Sequence, residues 1–377
     1  MNVTAFTATA PGRLTVAPEG YPAFVPNPAP RELDLSRETW GRLDEAAHHL
    51  GVLTGIGRRL PNPHLLITPY LRREAVLSSR IEGTQATMSD LYASDLGQTR
   101  LVRSSDVSEV QNYVAAHEHG LTSDLPLSLR LIRDLHRILM RGVRGHERHP
   151  GQFRTYQNYI GASNGWDATY VGPPVPQMLE LLDDFERFLH ELIQRPLVQA
   201  AVLHYMFEAI HPFGDGNGRV GRLLVPLFLK DRRLLPQPLL YLSAYFERNR
   251  SAYYDGLMRV STHGDWDGWI RFFLTGVRDQ AIEAADLADA LLGLQARYRG
   301  ELQSAHVTTN VLALVDALFI NPLLDTNRAQ SLLTVSAPTA RGAIRTLEEH
   351  GIVREITGRN WGRLFQADEI YGLLRGE

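Results

Sequence analysis

The amino-acid sequence predicts a mainly α-helical protein that has one β-hairpin near its middle and a small module of helices and strands at its C-terminal end. Apolar residues recur at helical spacing over most of the chain. Residues 151–174 instead alternate β-forming residues around a centre rich in glycine and asparagine, which is typical of a hairpin. The pattern changes again near His306, where short helical segments are followed by two predicted strands.

Composition narrows the class of protein. The 377 residues are 44% hydrophobic and 21% charged, which predicts a globular protein with more than one domain. The net charge of −3 offers no large basic surface to attract nucleic acid. The absence of cysteine excludes disulfides and thiol nucleophiles and fits a reducing compartment, so we expect a cytoplasmic protein. No signal-peptide pattern or long apolar run is found, so we expect no membrane partner.

The elements follow in order along the chain. Residues 1–35 are rich in proline and alanine and lack helical periodicity, which predicts an extended arm. Ser36 then has the character of a helix N-cap, with Glu38 in the first turn. Helices are predicted over residues 37–57, 62–83, 105–120, 128–142, 176–193, 196–210, 217–231, 251–261 and 265–303, and Pro61 and Pro63 separate the first two.

The C-terminal module, residues 306–377, is predicted to be a winged helix-turn-helix. Its pattern indicates helices over residues 310–320, 325–333 and 336–351, then two strands within 352–366. The module could bind DNA, or it could only pack against the body or dimerise. Its seven arginines and eight acidic residues make a weak electrostatic footprint for duplex DNA. Four arginines could still contact phosphate: Arg341, Arg345, Arg359 and Arg363.

The stretch HPFGDGNGR, which begins at His211, follows an almost wholly apolar helix and precedes another helix. Its glycines, at 214, 216 and 218, permit positive φ and close approach by a ligand. Consecutive backbone amides at the start of a helix attract anions. Arg219 and Arg222 lie three residues apart beside these amides, so the sequence predicts a polyphosphate site.

Two further side chains give this site its chemistry. Asp215 supplies one hard oxygen ligand, which suits a Mg²⁺ ion that bridges phosphate oxygens. His211 lies at the end of the buried helix, where its imidazole can accept a proton from a hydroxyl. Each residue alone has an ordinary structural explanation, as a cap, a loop glycine or a solvated arginine. Together they indicate transfer of part of a nucleotide onto an alcohol.

The twelve residues from His211 to Arg222, HPFGDGNGRVGR, match every defining position of the signature His-x-Phe-x-(Asp/Glu)-Gly-Asn-Gly-Arg-x-x-Arg. The chain therefore resembles the Fic family of AMP-transferring enzymes. The resemblance implies a Fic-type helical bundle over residues 126–300, with the hairpin as a flap, and fits the winged helix at the C-terminal end. It also implies ATP as the substrate and Mg²⁺ as the cofactor.

The resemblance implies a role for each matching residue. His211 would be the general base that takes a proton from a Ser, Thr or Tyr hydroxyl of a target protein, and Asp215 would hold the metal. Nucleotide binding is implied for Gly216, Asn217, Gly218, Arg219, Gly221 and Arg222. The stretch YLSAYFERN matches the place where relatives hold adenine, which would put Tyr241 and Asn249 near the base.

A second resemblance lies upstream, in the N-terminal helical region over residues 36–125. The pattern Ser/Thr-x-x-x-Glu-Gly, here Ser78, Glu82 and Gly83, is similar to the inhibitory helix that some Fic proteins carry. It implies that Glu82 pairs with Arg222 and restrains the enzyme. The alternative is an ordinary surface carboxylate whose ion pair is worth less than about 1 kcal/mol.

Other functions stay open from the sequence. The chain could be an ATP-sensing transcriptional regulator whose winged helix reads DNA, or a bifunctional enzyme that also removes AMP. UTP or a phosphocholine-bearing nucleotide could replace ATP as donor. The expected partners are a target protein and the chain itself, through self-modification, and a homodimer formed by the N-terminal helices is plausible.

Overall fold

A computed structural model of the chain describes residues 1–59, 64–97, 104–145, 147–162, 164–192 and 195–375. The predicted break at Pro61 and Pro63 lies outside these residues. The helices are α1 (Arg37–Arg59), α2 (His64–Ile81), α3 (Met88–Asp95), α4 (Ser104–Thr122), α5 (Leu129–Leu139), α6 (Val175–His190), α7 (Pro196–Ile210), α8 (Asn217–Asp231), α9 (Ser243–Arg248), α10 (Arg250–His263), α11 (Trp266–Ser304), α12 (Thr309–Ile320), α13 (Thr326–Leu333), α14 (Ala337–Glu349) and α15 (Asp368–Arg375). The predicted mainly α-helical fold is therefore confirmed.

Helix α7 forms the centre of the fold. Its sequence is apolar on all sides, and thirteen of its fifteen residues are buried. It packs against α6, α8 and the 39-residue helix α11, which also runs along α1. A helix without a polar face can only lie inside a bundle, so α7 places the loop that follows it at a fixed position.

The N-terminal residues contain a pair of strands that the sequence did not predict. Strand β1 (Gly12–Val16) pairs antiparallel with β2 (Pro22–Pro26), with Leu14 opposite Phe24. The amide of Phe24 donates to the carbonyl of Val171 at 2.9 Å, which fastens this hairpin to the loop before α6. Proline at both ends of β2 is compatible with a short edge strand.

The hairpin predicted over residues 151–174 is narrower in the structure. Among the described residues of this segment, strand pairing is limited to one antiparallel bridge between Ile160 and Tyr170. The amide of Ile160 donates to the carbonyl of Tyr170, and the carbonyl of Ile160 accepts from the amide of Thr169, both at 2.8 Å. Most of the remaining polar groups in this segment bind neighbouring loops instead of a partner strand, as the site below shows.

The C-terminal module contains α12 to α14 and a three-stranded antiparallel sheet. Strands β3 (Leu323–Leu324), β4 (Arg354–Glu355) and β5 (Phe365–Gln366) are ordered β3-β5-β4. We call residues 356–364, between β4 and β5, the wing loop. Three helices followed by a pair of strands is the order predicted from the sequence. Strand β3 and the final helix α15 were not predicted.

Two other short helices, α3 and α9, were also missed, since six to eight residues span barely two turns and give little periodicity. Among the described residues, no helix is both long enough and apolar enough to cross a membrane.

Four histidines, on or next to helices α4, α5 and α7, are buried or half-buried. Burial lowers the pKa of His117 and His204 to about 3 and that of His136 and His211 to about 4. His117 differs from the others because neither ring nitrogen has a hydrogen-bond partner among the described residues. Its ring packs 5.5 Å from that of Tyr241. The fold therefore holds these imidazoles in the neutral form.

We expect the free energy of unfolding to fall as the pH drops from about 6.5 towards 4. In this range the histidines bind protons in the unfolded chain but stay neutral in the folded protein, which costs about 1.4 kcal/mol per site and pH unit. His117→Phe should reduce this slope by about one proton and raise the free energy of unfolding at pH 5. Urea denaturation at pH 7, 6 and 5 measures both effects. His48→Phe, at an exposed position on α1, is the control and should leave the slope unchanged. An unaltered slope in the His117 variant would contradict the prediction.

Candidate functional site

The loop between α7 and α8 begins and ends in the left-handed backbone region. His211 caps α7 at φ 49°, and Gly216 precedes α8 at φ 76°. Glycine adopts this conformation freely, but a histidine there carries backbone strain that the surroundings must offset. The carbonyl of His211 accepts hydrogen bonds from Arg154 Nε at 3.0 Å and Asn158 Nδ2 at 3.1 Å. These two side chains hold the strained residue in place.

Further hydrogen bonds close the loop on itself. The side chain of Asn217 accepts from the amide of Phe213 and donates to its carbonyl, both at 2.9 Å. Asn158 Nδ2 also reaches the Phe213 carbonyl at 3.1 Å. The ring of Phe213 is buried against His136, with ring centroids 3.8 Å apart. The phenylalanine of the motif thus anchors the loop in the core.

His136, on α5, holds the loop from the opposite side. The amide of Gly151 donates to its Nδ1 at 2.8 Å, so the proton lies on Nε2, which donates to the Asp215 carbonyl at 3.0 Å. Burial lowers the pKa of His136 to about 4, which keeps this tautomer neutral. His136 lies on the buried face of α5, next to Leu135 and Leu139. A histidine at an otherwise apolar position was the one feature of the sequence that could have indicated its role.

The start of α8 has the properties of an anion site. Gly216 provides no side-chain cap, and the first amides of any α-helix lack partners within the helix. Glu82 Oε1 lies where a side chain at Gly218 would be, 2.3 Å from the position of an added Cβ. A carboxylate of the chain itself therefore lies against the helix N-terminus, where the dipole favours negative charge.

Arg222, one turn further along α8, is the buried cation of the site, with 3% of its surface exposed. Its Nε donates to Ser78 Oγ at 2.9 Å, and its Nη2 donates to the Ser78 carbonyl at 3.0 Å and to Glu82 Oε1 at 2.7 Å. Burial alone would lower the pKa of Arg222, but the carboxylates of Glu82 and Glu208 raise it above its usual value. The predicted pairing of Glu82 with Arg222 is present in the geometry, and Ser78 adds two hydrogen bonds to the same guanidinium that were not predicted.

Helix α2 presents Ser78 and Glu82 to Arg222 because it is fastened one turn earlier by a buried carboxyl. Glu74 accepts hydrogen bonds from Tyr113 Oη at 3.0 Å and from Ser243 Oγ at 2.5 Å. Burial raises the pKa of Glu74 despite these bonds. Glu74, Ser78 and Glu82 are spaced four residues apart, so they share one face of the chain as it runs along α2.

Gly83 turns the chain directly after Glu82. It lies at φ 94°, and the amide of Thr84 donates back to the carbonyl of Ser79 at 3.1 Å. This is the hydrogen bond of a Schellman motif, in which the left-handed position strongly prefers glycine. The turn leaves the Glu82 side chain 34% exposed, and although burial acts the other way, Arg222 lowers its carboxyl pKa. Glu82 is therefore ionised at neutral pH.

Arg219 is held differently from Arg222. Its Nη1 donates to Glu109 Oε2 at 3.2 Å, and its Nη2 lies 3.7 Å from Asp215 Oδ1. Glu109, on α4, is buried and also accepts from Thr84 Oγ1 at 2.9 Å. A buried glutamate on α4 thus fixes the first arginine of the motif and the turn after Gly83 together.

Asp215 contributes a carboxylate that is 41% exposed. The amide of Gly216 donates to its Oδ1 at 2.6 Å. Among the described residues, no group of three or more His, Cys, Asp or Glu side chains is arranged to hold a metal. A single accessible carboxylate fits Mg²⁺, which keeps several waters and takes other ligands from phosphate oxygens.

A cavity of about 410 Å³ opens beside these groups. One end is lined by His211, Gly218, Arg222 and Glu82, and the other by aromatic and apolar side chains of α10. The α10 side chains are Tyr253, Tyr254, Leu257 and Met258, with Ser261 beyond them, and Ile160, Gly161 and Thr169 approach from the loop before α6. The Tyr253 hydroxyl is fixed by His204 Nε2 at 2.9 Å. The lining of the cavity therefore combines charged and polar groups with aromatic and apolar side chains.

The structure does not bring Tyr241 and Asn249 to this cavity. Tyr241 is buried beside His117 and lines a separate small pocket with Glu74. Asn249 connects α9 and α10, and its Nδ2 donates to the Tyr245 carbonyl at 2.9 Å. Tyr241 precedes the short helix α9 and Asn249 follows it, and neither residue is part of the cavity lining. Gly221 is required by packing, because a Cβ atom at this position would lie only 2.4 Å from Glu208 Oε1.

Several residues that build the site were not predicted from the sequence: Arg154, Asn158, His136, Glu109, Glu208, Tyr253 and Tyr254. Glu208 is the most unusual of them, because its Oε1 is buried at the cavity without a hydrogen-bond partner among the described residues. Burial raises the pKa of Glu208 to about 7. The His211 Nδ1 lies 3.2 Å from the Glu208 carbonyl oxygen, which can only accept, so the lone pair of His211 lies on Nε2.

Comparison with known proteins agrees with this geometry. The domain described as Fic/DOC family N-terminal matches residues 40–122, and the domain described as Fic/DOC family matches residues 126–229. The chain belongs to the Fic/DOC family. Over 156 residues it is 32% identical to the protein adenylyltransferase Fic of Drosophila ananassae and 31% identical to that of Drosophila melanogaster. The match covers 41% of this chain and 28% of the length of each of these relatives.

Solved structures of Fic proteins share the fold. A Fic family protein from Desulfovibrio desulfuricans G20 superposes with a TM-score of 0.57 at 22% identity, covering 90% of this chain and 98% of that one. Fic-1 from C. elegans superposes with a TM-score of 0.52 at 21% identity, covering 67% of this chain and 73% of that one. At these identities the likeness shows the fold alone.

We expect Glu208→Gln to stabilise the protein more at pH 8 than at pH 5. A carboxyl whose folded pKa is raised from 4.5 to about 7 lowers stability progressively as the pH rises between these two values, because only the unfolded chain gives up the proton there, and the full penalty remains above pH 7. The gain at pH 8 should be on the order of 1–3 kcal/mol, measured by denaturant unfolding at both pH values. Glu180→Gln, at an exposed position on α6, is the control and should show no pH-dependent gain. An equal effect of Glu208→Gln at both pH values would argue against the raised pKa.

Proposed function

We propose that the chain is a protein adenylyltransferase, which transfers AMP from ATP to Ser, Thr or Tyr hydroxyls of a target protein, and that Glu82 restrains this activity. The observation that carries the proposal is the position of the Glu82 carboxylate. It lies between the N-terminus of α8 and the Arg222 guanidinium, at the mouth of a cavity that His211 also lines. The site thus binds an anion next to a general base.

The proton transfer is assigned to His211. Burial is the main cause that lowers its pKa to about 4, so the imidazole is neutral at pH 7 and its Nε2 is free to accept a proton. The target hydroxyl gives its proton to this nitrogen, and its oxygen forms a bond to the α-phosphorus of ATP. The bond from that phosphorus to the bridging oxygen breaks, and pyrophosphate leaves.

The other residues bind and orient the triphosphate. The first amides of α8, including that of Gly218, would face its oxygens, and preorganised donors of this kind stabilise the charge that develops there. Arg222 would bind the terminal phosphate once Glu82 has left it. Bound Mg²⁺ would neutralise charge on the phosphates, and Asp215 is the residue placed to hold it. We assign the nucleoside to the apolar end of the cavity, beside Tyr253, Tyr254 and Leu257, in place of Tyr241 and Asn249.

Inhibition follows from competition for one cation. Arg222 is buried and already makes a charge-assisted hydrogen bond of 2.7 Å to Glu82. A triphosphate that offers its own oxygens must displace this bond, or bind with its terminal phosphate elsewhere and its α-phosphorus misplaced for in-line attack. Because such bonds are strong in a partly desolvated site, the unmodified protein should be a slow enzyme.

Glu82→Gly should raise the rate of AMP incorporation from α-labelled ATP at least tenfold, measured as label on the protein itself and on proteins of a lysate. Helix α2 ends at Ile81, so glycine at position 82 does not interrupt it. Glu82→Gln, which keeps an acceptor but loses the charge, should give a smaller gain. Ser78→Ala, which leaves the Glu82 bond intact, should give less again. Unchanged incorporation by a folded Glu82→Gly variant that still binds ATP would refute the inhibitory role.

His211→Ala, introduced into the Glu82→Gly variant, should lower the rate of AMP transfer by about 10²–10⁴-fold, the usual contribution of a general base. ATP affinity, measured by calorimetry, should stay within a few-fold, because the amides of α8 and Arg222 remain. His48→Ala in the same background is the control and should retain full activity. Loss of ATP binding together with activity would show instead that His211 mainly holds the loop.

A further inference from the structure

The C-terminal module has an open groove that the nucleotide site does not use. The groove, about 400 Å³ in volume, lies between α14, the start of α13 and the wing loop. Its lining includes Arg341 and Arg345 from α14 and Trp361 and Arg363 from the wing loop. Trp361 is 86% exposed, the largest exposed fraction among the large apolar side chains that the structure describes. We call this surface the α14–wing face.

The arginines of this face are available for a partner. Arg341, Arg345, Arg359 and Arg363 are all exposed, and within the described part of the chain none of them forms an ion pair. The backbone contact of Arg363 Nε with the Arg359 carbonyl, at 3.0 Å, keeps the two wing arginines together. Arg341, Arg345 and Arg363 thus line one groove, and Arg359 lies nearby in the wing loop, in a module whose total charge is close to zero.

The acidic residues of the module are mostly engaged elsewhere. Asp316 and Glu369 pair with Arg299 and Arg297 of α11, which lie outside the module's own sequence. Asp368 pairs with Arg354 on the far end of the sheet.

Two further carboxylates bind backbone amides of the module. Glu355 accepts from the amides of Thr357 and Gly358 in the wing loop, and Asp325 caps α13. Glu348 and Glu349 remain at the C-terminal end of α14, and Glu348 and Asp325 border the groove. The first two turns of α14, from Ala337 to Arg345, carry no acidic residue.

We propose that the α14–wing face binds duplex DNA, with α14 in the major groove. Its thirteen residues span about 20 Å, and a helix of about 10–12 Å diameter fits a groove about 12 Å wide. The N-terminal turns of such a helix meet the base edges, and here they carry Arg341, Arg345 and the small residues Thr339 and Gly342. Arg359, Trp361 and Arg363 extend beyond α14 and contact the sugar-phosphate backbone.

This proposal does not rest on nucleotide transfer, because no residue of the α14–wing face belongs to the cavity beside His211. The count of seven arginines and eight acidic residues in the module predicted a weak electrostatic footprint for duplex DNA, because it included three carboxylates that the structure pairs with arginines, those of Asp316, Asp368 and Glu369. The local surface decides the interaction, because beyond about 10 Å salt screens the other charges at 0.1 M ionic strength.

The test is fluorescence anisotropy of a labelled 24-base-pair duplex of random sequence, titrated with the full-length chain at 50 and 200 mM salt. We expect binding that weakens with salt, and Arg341→Gln with Arg345→Gln should weaken it at least tenfold. The slope of log affinity against log salt should fall by about one for each arginine that contacts phosphate. Arg58→Gln with Arg59→Gln on α1 makes the same change in net charge and should alter affinity less than twofold.

Three results would overturn the proposal. The duplex could fail to bind at 50 mM salt, or the α1 control could weaken binding as much as the α14 variant. Alternatively, poly-glutamate could compete as well as unlabelled duplex at equal charge, which would identify an acidic protein segment as the occupant. Because all the substituted arginines are exposed, circular dichroism and thermal unfolding of the variants should match the original chain.

Discussion

The buried guanidinium of Arg222 is the charge on which the arrangement of the site depends. A cation with 3% exposure must be paired within the protein, because its desolvation would otherwise cost several kcal/mol. Ser78 and Glu82 provide that pairing from α2, and the same need for an anion is what a triphosphate would satisfy. In the proposed function, the Glu82 carboxylate and the terminal phosphate of ATP would be alternative partners for this one cation.

The loop that carries His211 is held by side chains from other parts of the chain. Arg154 and Asn158 support its strained backbone, and His136 supports it through the Asp215 carbonyl. Burial lowers the pKa of Arg154 to about 10, yet its guanidinium stays fully engaged, because it donates to the carbonyls of Tyr156 and Pro173 as well as to that of His211. A loop fixed in this way presents its amides without having to reorganise, which is the property that electrostatic catalysis requires.

Local sequence determined the helices around the site. The apolar run from Pro196 ends where His211 and Pro212 begin a loop, and α8 spans residues 217–231 as predicted, because Gly216 and the residues after it define a helix start. Ser78, Glu82 and Gly83 were found through the resemblance of their pattern to an inhibitory helix, and the structure places Gly83 in a left-handed turn. These features depend on neighbours within a few residues, so a linear pattern contains them.

Tertiary structure alone decided which distant groups meet. Glu109 reaches Arg219 across 110 positions of sequence, and no local pattern indicates such a pair. Tyr241 and Asn249 were predicted near the base, but they lie outside the cavity lining, to which α10 contributes Tyr253 and Tyr254. The sequence by itself determined the anion-binding loop and its histidine, because local backbone preferences and charge specify them. Packing between elements decided the shape of the cavity, the carboxylate that faces Arg222 and the charges left exposed at the C-terminal end, since each of these depends on contacts between residues far apart in the chain.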